Sequence, residues 1–158
     1  MEQDHRTLAA FYDGWDRYNN LLIEAIAPLS PAQLALAAAP SLRPVWLIAA
    51  HIAGTRVGWF GGLMGEGDAA LAPLYEWDVD GAPPRTAAEL VDALKVTWQM
   101  IADCLDRWTP AMLDDTFVEH GNTVTRQWVI WHVIEHDLSH GGELFLTLGA
   151  HGLPTPDL

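Results

Sequence analysis

Trp131-His132-Val133-Ile134-Glu135-His136-Asp137-Leu138-Ser139-His140-Gly141-Gly142-Glu143-Leu144 sets three histidines at four-residue spacing. On an α-helix, residues four apart lie one turn apart on one face. Two imidazoles so placed can grip one divalent cation, the mechanical idea behind helical His-x-x-x-His sites. Three cannot share one ion, because His132 and His140 would lie about 12 Å apart along the axis at about 1.5 Å per residue. One ion takes either His132 with His136 or His136 with His140, and the spacing leaves that choice open. His136 belongs to both pairs.

The helix carrying these histidines is predicted to start at the capping residue Thr125, run to about Leu148 and stop at Gly149, Gly152 and Pro154. Apolar steps of three and four also mark Leu8, Phe11, Tyr12, Trp15, Tyr18, Leu22, Ile26 and Leu29 as one amphipathic helix. Ser30-Pro31-Ala32-Gln33 supplies an N-cap, a first-turn proline and a capping-box glutamine for a short alanine-rich helix. A second long helix is expected from near Pro44 to about Met64, fraying at Gly61-Gly62 and Gly65-Glu66-Gly67. A proline- and aspartate-bearing loop follows, whose Leu71 to Trp77 portion is read as docking an aromatic. The capping box Thr86-Ala87-Ala88-Glu89 opens a third long helix through Trp108, and Thr109-Pro110 starts a further short turn. Phe117 to Thr125, around His120-Gly121-Asn122, reads as a small hairpin or an extended loop.

Four long helices predict an all-α four-helix bundle. The long connection between the second and third allows a crossover. A short internal echo, Leu29-Ser30-Pro31-Ala32-Gln33-Leu34 against Trp108-Thr109-Pro110-Ala111-Met112-Leu113, fits two helical halves. A length of 158 residues suggests a single domain over 1–158, able to bury roughly 70% of its unfolded surface without disulfides. Acidic residues exceed basic ones by 21 to 8, a formal charge of −13. That balance argues against nucleic acid and anionic membrane surfaces, both of which need clustered Lys and Arg. Cys104 stands alone in the apolar pattern Ile101-Cys104-Leu105-Trp108 and reads as a core residue of a protein in a reducing compartment. Met1 to Arg6 is polar and unlike a signal peptide, and no apolar run reaches about 18 residues, so a cytoplasmic protein without a membrane span is expected. The eight tryptophans read first as core and interface residues, with an aromatic pocket wall as the sharper alternative.

A metal in such a bundle needs a third ligand from a facing helix. His51, in the apolar segment Trp46-Leu47-Ile48-Ala49-Ala50-His51-Ile52-Ala53-Gly54, is the strongest candidate. Gly54 and Gly58 are read as keeping its face open, with close helix packing as the alternative. His5, His120 and His151 are weaker candidates. Glu135 and Asp137 are expected to be solvated or to orient an imidazole, and Glu143 to do the latter. Three neutral imidazoles leave zinc or nickel an open position for water, a thiolate or a carbonyl. There is no Ser-His-Asp pattern, glycine-rich phosphate loop or CxxC motif, so metal chemistry is the enzymatic signal.

The signature His132-x-x-x-His136-x-x-x-His140-x-Gly142-Glu143, with the ending Leu148-Gly149-Ala150-His151-Gly152-Leu153-Pro154, resembles the DinB-like family. The resemblance implies a four-helix bundle with a histidine on the second long helix and a His-x-x-x-His pair on the fourth. It implies His51, His136 and His140 as metal ligands, with His132 a neighbouring histidine. Many relatives carry Arg or His around Ser139 or Gly141, where this chain has small residues. The resemblance implies thiol-dependent transferases and isomerases acting with low-molecular-weight thiols. Together with the metal chemistry, the expected activity is that of a divalent-metal-dependent hydrolase or a low-molecular-weight-thiol transferase. The alternative is a non-catalytic metal- or small-ligand-binding bundle. A small-molecule substrate and a homodimer through tryptophan-rich helices complete the expectation.

Overall fold

The computed structural model describes residues 7–157, and the chain over them is mostly helical. The helices are α1 (Asp13–Ile26), α2 (Pro31–Leu34), α3 (Val45–Arg56), α4 (Ala87–Arg107) and α5 (Arg126–Ala150). A two-stranded antiparallel hairpin, β1 (Thr116–Glu119) with β2 (Asn122–Thr125), precedes α5. Its register runs from Thr116 opposite Thr125 to Glu119 opposite Asn122, and its turn places His120 and Gly121 at φ 45° and 81°. A positive φ at both turn positions matches the twist of a tight hairpin, which settles the hairpin-or-loop question. No helix among the described residues is long and apolar enough to cross a membrane.

Capping chemistry fixes the helix starts. Ser30 Oγ accepts from Gln33 N at 3.3 Å while Ser30 N donates to Gln33 Oε1 at 2.9 Å. Thr86 and Glu89 repeat the exchange at 3.2 and 2.8 Å. Thr125 Oγ1 accepts from Trp128 N at 3.2 Å and opens α5. Each satisfies helix N–H groups that would otherwise lack partners.

Two expected helices change character at their ends. The first was expected from Leu8, but a 3-10 turn over Ala9–Phe11 breaks at Tyr12 (φ −123°, ψ 22°) before α1 begins. Leu8 N donates to Trp108 O at 2.9 Å and the Leu8 side chain is buried. Anchorage to the end of α4 therefore overrides the local periodicity. After Arg56, α3 continues as a π-helix over Val57–Leu63, and Gly65 (φ 71°) lies just past its end.

Gly54 and Gly58 pack closely against the segment that follows, and both also line the cavity beside His51. A Cβ on Gly58 would come within 2.8 Å of the Tyr75 ring, and one on Gly54 within 3.1 Å of Leu74 O. The 3-10 helix Ala69–Glu76 therefore lies flush on α3 and carries Trp77 and Asp78 after it. Gly141 has a similar role, since a Cβ there would strike Tyr18 Oη. The tryptophans serve chiefly as packing: Trp15, Trp46 and Trp108 are buried, whereas Trp59 is the tryptophan that lines the main cavity.

The core divides into two apolar clusters. One joins Leu22, Ile26, Ile48, Ile52, Leu94, Leu144 and Leu148. The other joins Trp15, Phe60, Ile101, Leu105, Trp108, Ile130 and Val133. Between them along the helices lie the buried polar residues Asn19, Arg56, Thr97 and Asp137. Asp137, expected on the surface or beside an imidazole, is 0% exposed. Its Oδ2 accepts from Arg56 Nε at 2.9 Å and from Trp15 Nε1 at 2.8 Å. Arg56 Nη2 lies 2.8 Å from the same oxygen but is misaligned for a hydrogen bond, so that contact is purely ionic. Arg56 Nη1 donates to Asn19 Oδ1 at 2.8 Å and to Thr97 Oγ1 at 3.3 Å.

Removing one member of a buried ion pair strands the other, at roughly 3–5 kcal/mol, whereas replacing both with apolar groups can be neutral. Asp137→Leu is therefore expected to lower the urea midpoint sharply, and Arg56→Met/Asp137→Leu to regain much of the loss. Equal stability of the Asp137→Leu and unaltered chains in a urea titration would refute the stated role of the pair.

Candidate metal centre

His51 comes from the middle of α3, and His136 and His140 from successive turns of α5, the helix packed most extensively on α3. One ligand-capable atom from each of the three lies within 4.8 Å of the others. Ring centroids are 4.6 Å apart for His51 and His136, 4.7 Å for His51 and His140, and 4.4 Å for His136 and His140. Two imidazole nitrogens on one tetrahedral ion, each at about 2.0–2.1 Å, would be roughly 3.3 Å apart. The observed cluster is on that scale, and His51 Nε2 faces His136 Nε2 at 2.9 Å.

The outer ring nitrogens are occupied by carboxylates. His51 Nδ1 lies 2.5 Å from Asp78 Oδ2, and His140 Nδ1 lies 2.8 Å from Glu143 Oε2. A carboxylate at Nδ1 holds the ring proton there and leaves Nε2 as a lone-pair donor. The His51 ring thus presents its Nε2 toward His136, and the His140 ring packs edge-on against both. His136 Nδ1 is buried without a hydrogen-bond partner among the described residues, so nothing on that side fixes its proton. The donor set therefore fits a divalent cation.

Burial sets the electrostatics. Loss of solvation pushes the His136 imidazolium down to about 3, helped by its neighbours His140 and His51. Burial likewise lowers His51, partly offset by its hydrogen bond to Asp78. Both are neutral near pH 7, the form that binds metal.

His132 is not in the cluster. Its ring stacks on Trp128 at 4.9 Å and meets Trp59 edge-on at 4.7 Å, so two tryptophans hold it. His120 sits exposed at the hairpin turn, 2.9 Å from Glu119. His151 Nε2 bonds Ala37 O at 2.8 Å, away from the cluster. His5 lies outside the described residues. Glu135 is exposed, 3.9 Å from His132. Cys104 is buried, and desolvation pushes its thiol up to about 12, so it is no nucleophile at neutral pH.

A cavity of about 1050 Å³ opens beside His51. Thr55, Gly58, Trp59, Tyr75, Met100 and Val118 are among the residues that line it. Glu66, Asp68, Glu76, Asp78 and Glu119 contribute carboxylates, and no lysine or arginine appears among the described lining residues. Sequence reasoning missed Asp78 and Thr55. Asp78 arrives from a loop 27 residues past His51, and its signal was the Gly54/Gly58 pair that seats this loop. Thr55 is one helical turn past His51, within reach of any ligand His51 binds.

The model of the DinB superfamily matches residues 11–144, and the chain belongs to that superfamily. The crystal structure of a DinB-like protein from Bacillus cereus ATCC 10987 superposes with TM-score 0.76 at 19% identity, covering 98% of this chain and 99% of that one. A DinB-like protein from Bacillus subtilis superposes with TM-score 0.66 at 18% identity, covering 89% and 90%. At such identities the likeness speaks for the fold alone. No curated protein sequence matches the chain.

Because the folded state holds His136 well below the ordinary histidine value of about 6.5, the unfolded chain binds the extra proton first on acidification. The stability from a neutral His136 is complete above about pH 6.5 and falls as pH drops toward 3. In chelator, the urea midpoint of the unaltered chain should fall more between pH 7.5 and 5 than that of His136→Leu. Parallel falls would contradict the assignment.

Proposed function

We propose that this DinB-superfamily chain holds one divalent ion, zinc or nickel, through His51, His136 and His140, and uses it on a small-molecule substrate. The reaction class is hydrolysis or transfer to a low-molecular-weight thiol. The observation that carries the reading is the convergence of the three imidazoles, one of which, His51, lines a cavity of about 1050 Å³. When bound, such an ion supplies Lewis acidity at an open position, where water or a thiol loses its proton near neutral pH.

The chain's own residues divide the remaining work. Asp78 and Glu143 hold the Nδ1 protons of His51 and His140 and so orient both rings. Trp59 and Tyr75 give the cavity wall apolar faces for a substrate body. The carboxylate-lined cavity and the charge of −13 favour a neutral or cationic substrate over an anionic one.

The architecture behind this site is read as a four-helix bundle with a crossover between α3 and α4. Supporting it, Arg56 of α3 reaches Leu94 and Thr97 of α4, while Phe60, just beyond α3, stacks on Trp108 at the far end of α4. Those contacts advance together along both helices, so the two run in the same direction. The homodimer is retained as part of the reading. Trp131, Leu138 and Leu146 stand exposed on α5 and suit an isologous interface; sedimentation over a concentration series should show a dimer, and monomer throughout would remove this idea.

The main test is bound metal, measured by mass spectrometry on untagged protein with and without zinc or nickel supplementation. Near one ion per chain is expected, absent from His136→Ala. At about 100 times its Kd, the metal adds about 2.7 kcal/mol, so chelation should lower Tm by roughly 5–10 °C. No metal after supplementation would refute the site. Metal without turnover of neutral or cationic esters, amides and thiol acceptors would favour the non-catalytic metal- or ligand-binding alternative.

A further inference from the structure

Three threonines lie inside helices, and one uses its hydroxyl unlike the others. Thr97 Oγ1 donates to Ala93 O at 2.8 Å, and Thr147 Oγ1 donates to Glu143 O at 2.8 Å. Both return to a carbonyl one turn back in their own helix, the usual use of a buried helical hydroxyl. Thr55 does not. Its Oγ1 lies 3.2 Å from His136 Nε2, across the interface between α3 and α5, and the residue lines the cavity.

His136 Nε2 therefore has two partners from α3, one turn apart: His51 Nε2 at 2.9 Å and Thr55 Oγ1 at 3.2 Å. A lone pair given to a metal ion is no longer available to the threonine. The hydroxyl, which can both donate and accept, then remains beside the ion with no other described partner.

We propose that Thr55 is a positioning residue whose hydroxyl hydrogen-bonds the exchangeable ligand in the open coordination position of the His51–His136–His140 metal. This inference rests on the metal reading above. The ligand it suits is a small lone-pair donor, such as water, a thiolate or a carbonyl oxygen of the substrate. With His51 and Thr55 both on the cavity side, the hydroxyl fixes how that ligand faces the cavity.

The test uses the full chain loaded with cobalt(II), whose visible spectrum reports the coordination sphere, and azide as the exchangeable ligand. Thr55→Val keeps the shape and removes the hydroxyl, whereas Thr55→Ser keeps the hydroxyl. Cobalt affinity should stay within about threefold for both variants. Azide binding should weaken about tenfold in Thr55→Val, equivalent to about 1.4 kcal/mol, and stay near the unaltered value in Thr55→Ser. Equal azide affinity in Thr55→Val and the unaltered chain would overturn the proposal while leaving the metal site standing. Loss of cobalt from Thr55→Val would overturn it too, since the hydroxyl would then act on the histidines. A cobalt form of the unaltered chain that takes no azide has no open position, and that result also rejects it. If the unaltered chain binds no cobalt, the metal reading itself falls.

Discussion

The ion pair of Arg56 and Asp137, buried at the junction of two apolar clusters, constrains everything around it. A guanidinium and a carboxylate withdrawn from water are tolerable only if their charges and hydrogen bonds are closely matched. Here the matching draws on Trp15 and Asn19 of α1 and Thr97 of α4 as well as the pair itself on α3 and α5. A slide of any one helix by a turn would leave a buried charge unpartnered. The pair thus sets the axial register of four helices, which apolar packing alone leaves more permissive.

That register delivers the histidines. His136 precedes Asp137, and Thr55 precedes Arg56, with His51 one turn earlier on α3. With Asp137 held at Arg56, the preceding residues are brought to the same level of the two helices, and His136 lies against both Thr55 and His51. The three-imidazole geometry is in this sense a corollary of core electrostatics. The small residues complete the approach: Gly141 lets Tyr18 close on α5, and Gly54 and Gly58 let the 3-10 segment carry Asp78 up to His51.

What was legible in the sequence follows the range of the interaction that decides it. The capping boxes at Ser30 and Thr86 and the Thr125 cap operate over three residues, and each appears where the sequence placed it. The grouping of His51 with His136 and His140 rested on resemblance, because helical spacing alone left His132 in contention. His132 is diverted by Trp59 and Trp128, a contact from two separate helical segments. The break at Tyr12 depends on the Leu8 bond to Trp108, 100 residues away, which no local pattern encodes. Asp137 was misplaced because a carboxylate between histidines looks the same whether it faces water or a buried arginine. Arg56, a lone cation in an apolar helix, was the signal that such a carboxylate must exist.

The same electrostatics favours a metal centre over a cluster of satisfied core histidines. Asp78 and Glu143 occupy the Nδ1 side of His51 and His140, and the Nε2 of His51 faces His136. A neutral His136 carries one proton, and its 2.9 Å contact with His51 Nε2 is compatible with either ring tautomer only if a single proton is shared between the two nitrogens. A second proton would make an imidazolium, which burial and neighbouring histidines resist, holding His136 down to about 3. Near pH 7 the site is rich in lone pairs and poor in protons. Arg43 acts on His51 and His136 from outside the adjoining cavity, and the described walls of that cavity supply carboxylates without a lysine or arginine. A divalent cation satisfies these donors with one particle, the imidazole nitrogens replacing part of its water shell. That asymmetry, more than the spacing of the histidines, is what makes metal binding the economical account of why three imidazoles are packed together here.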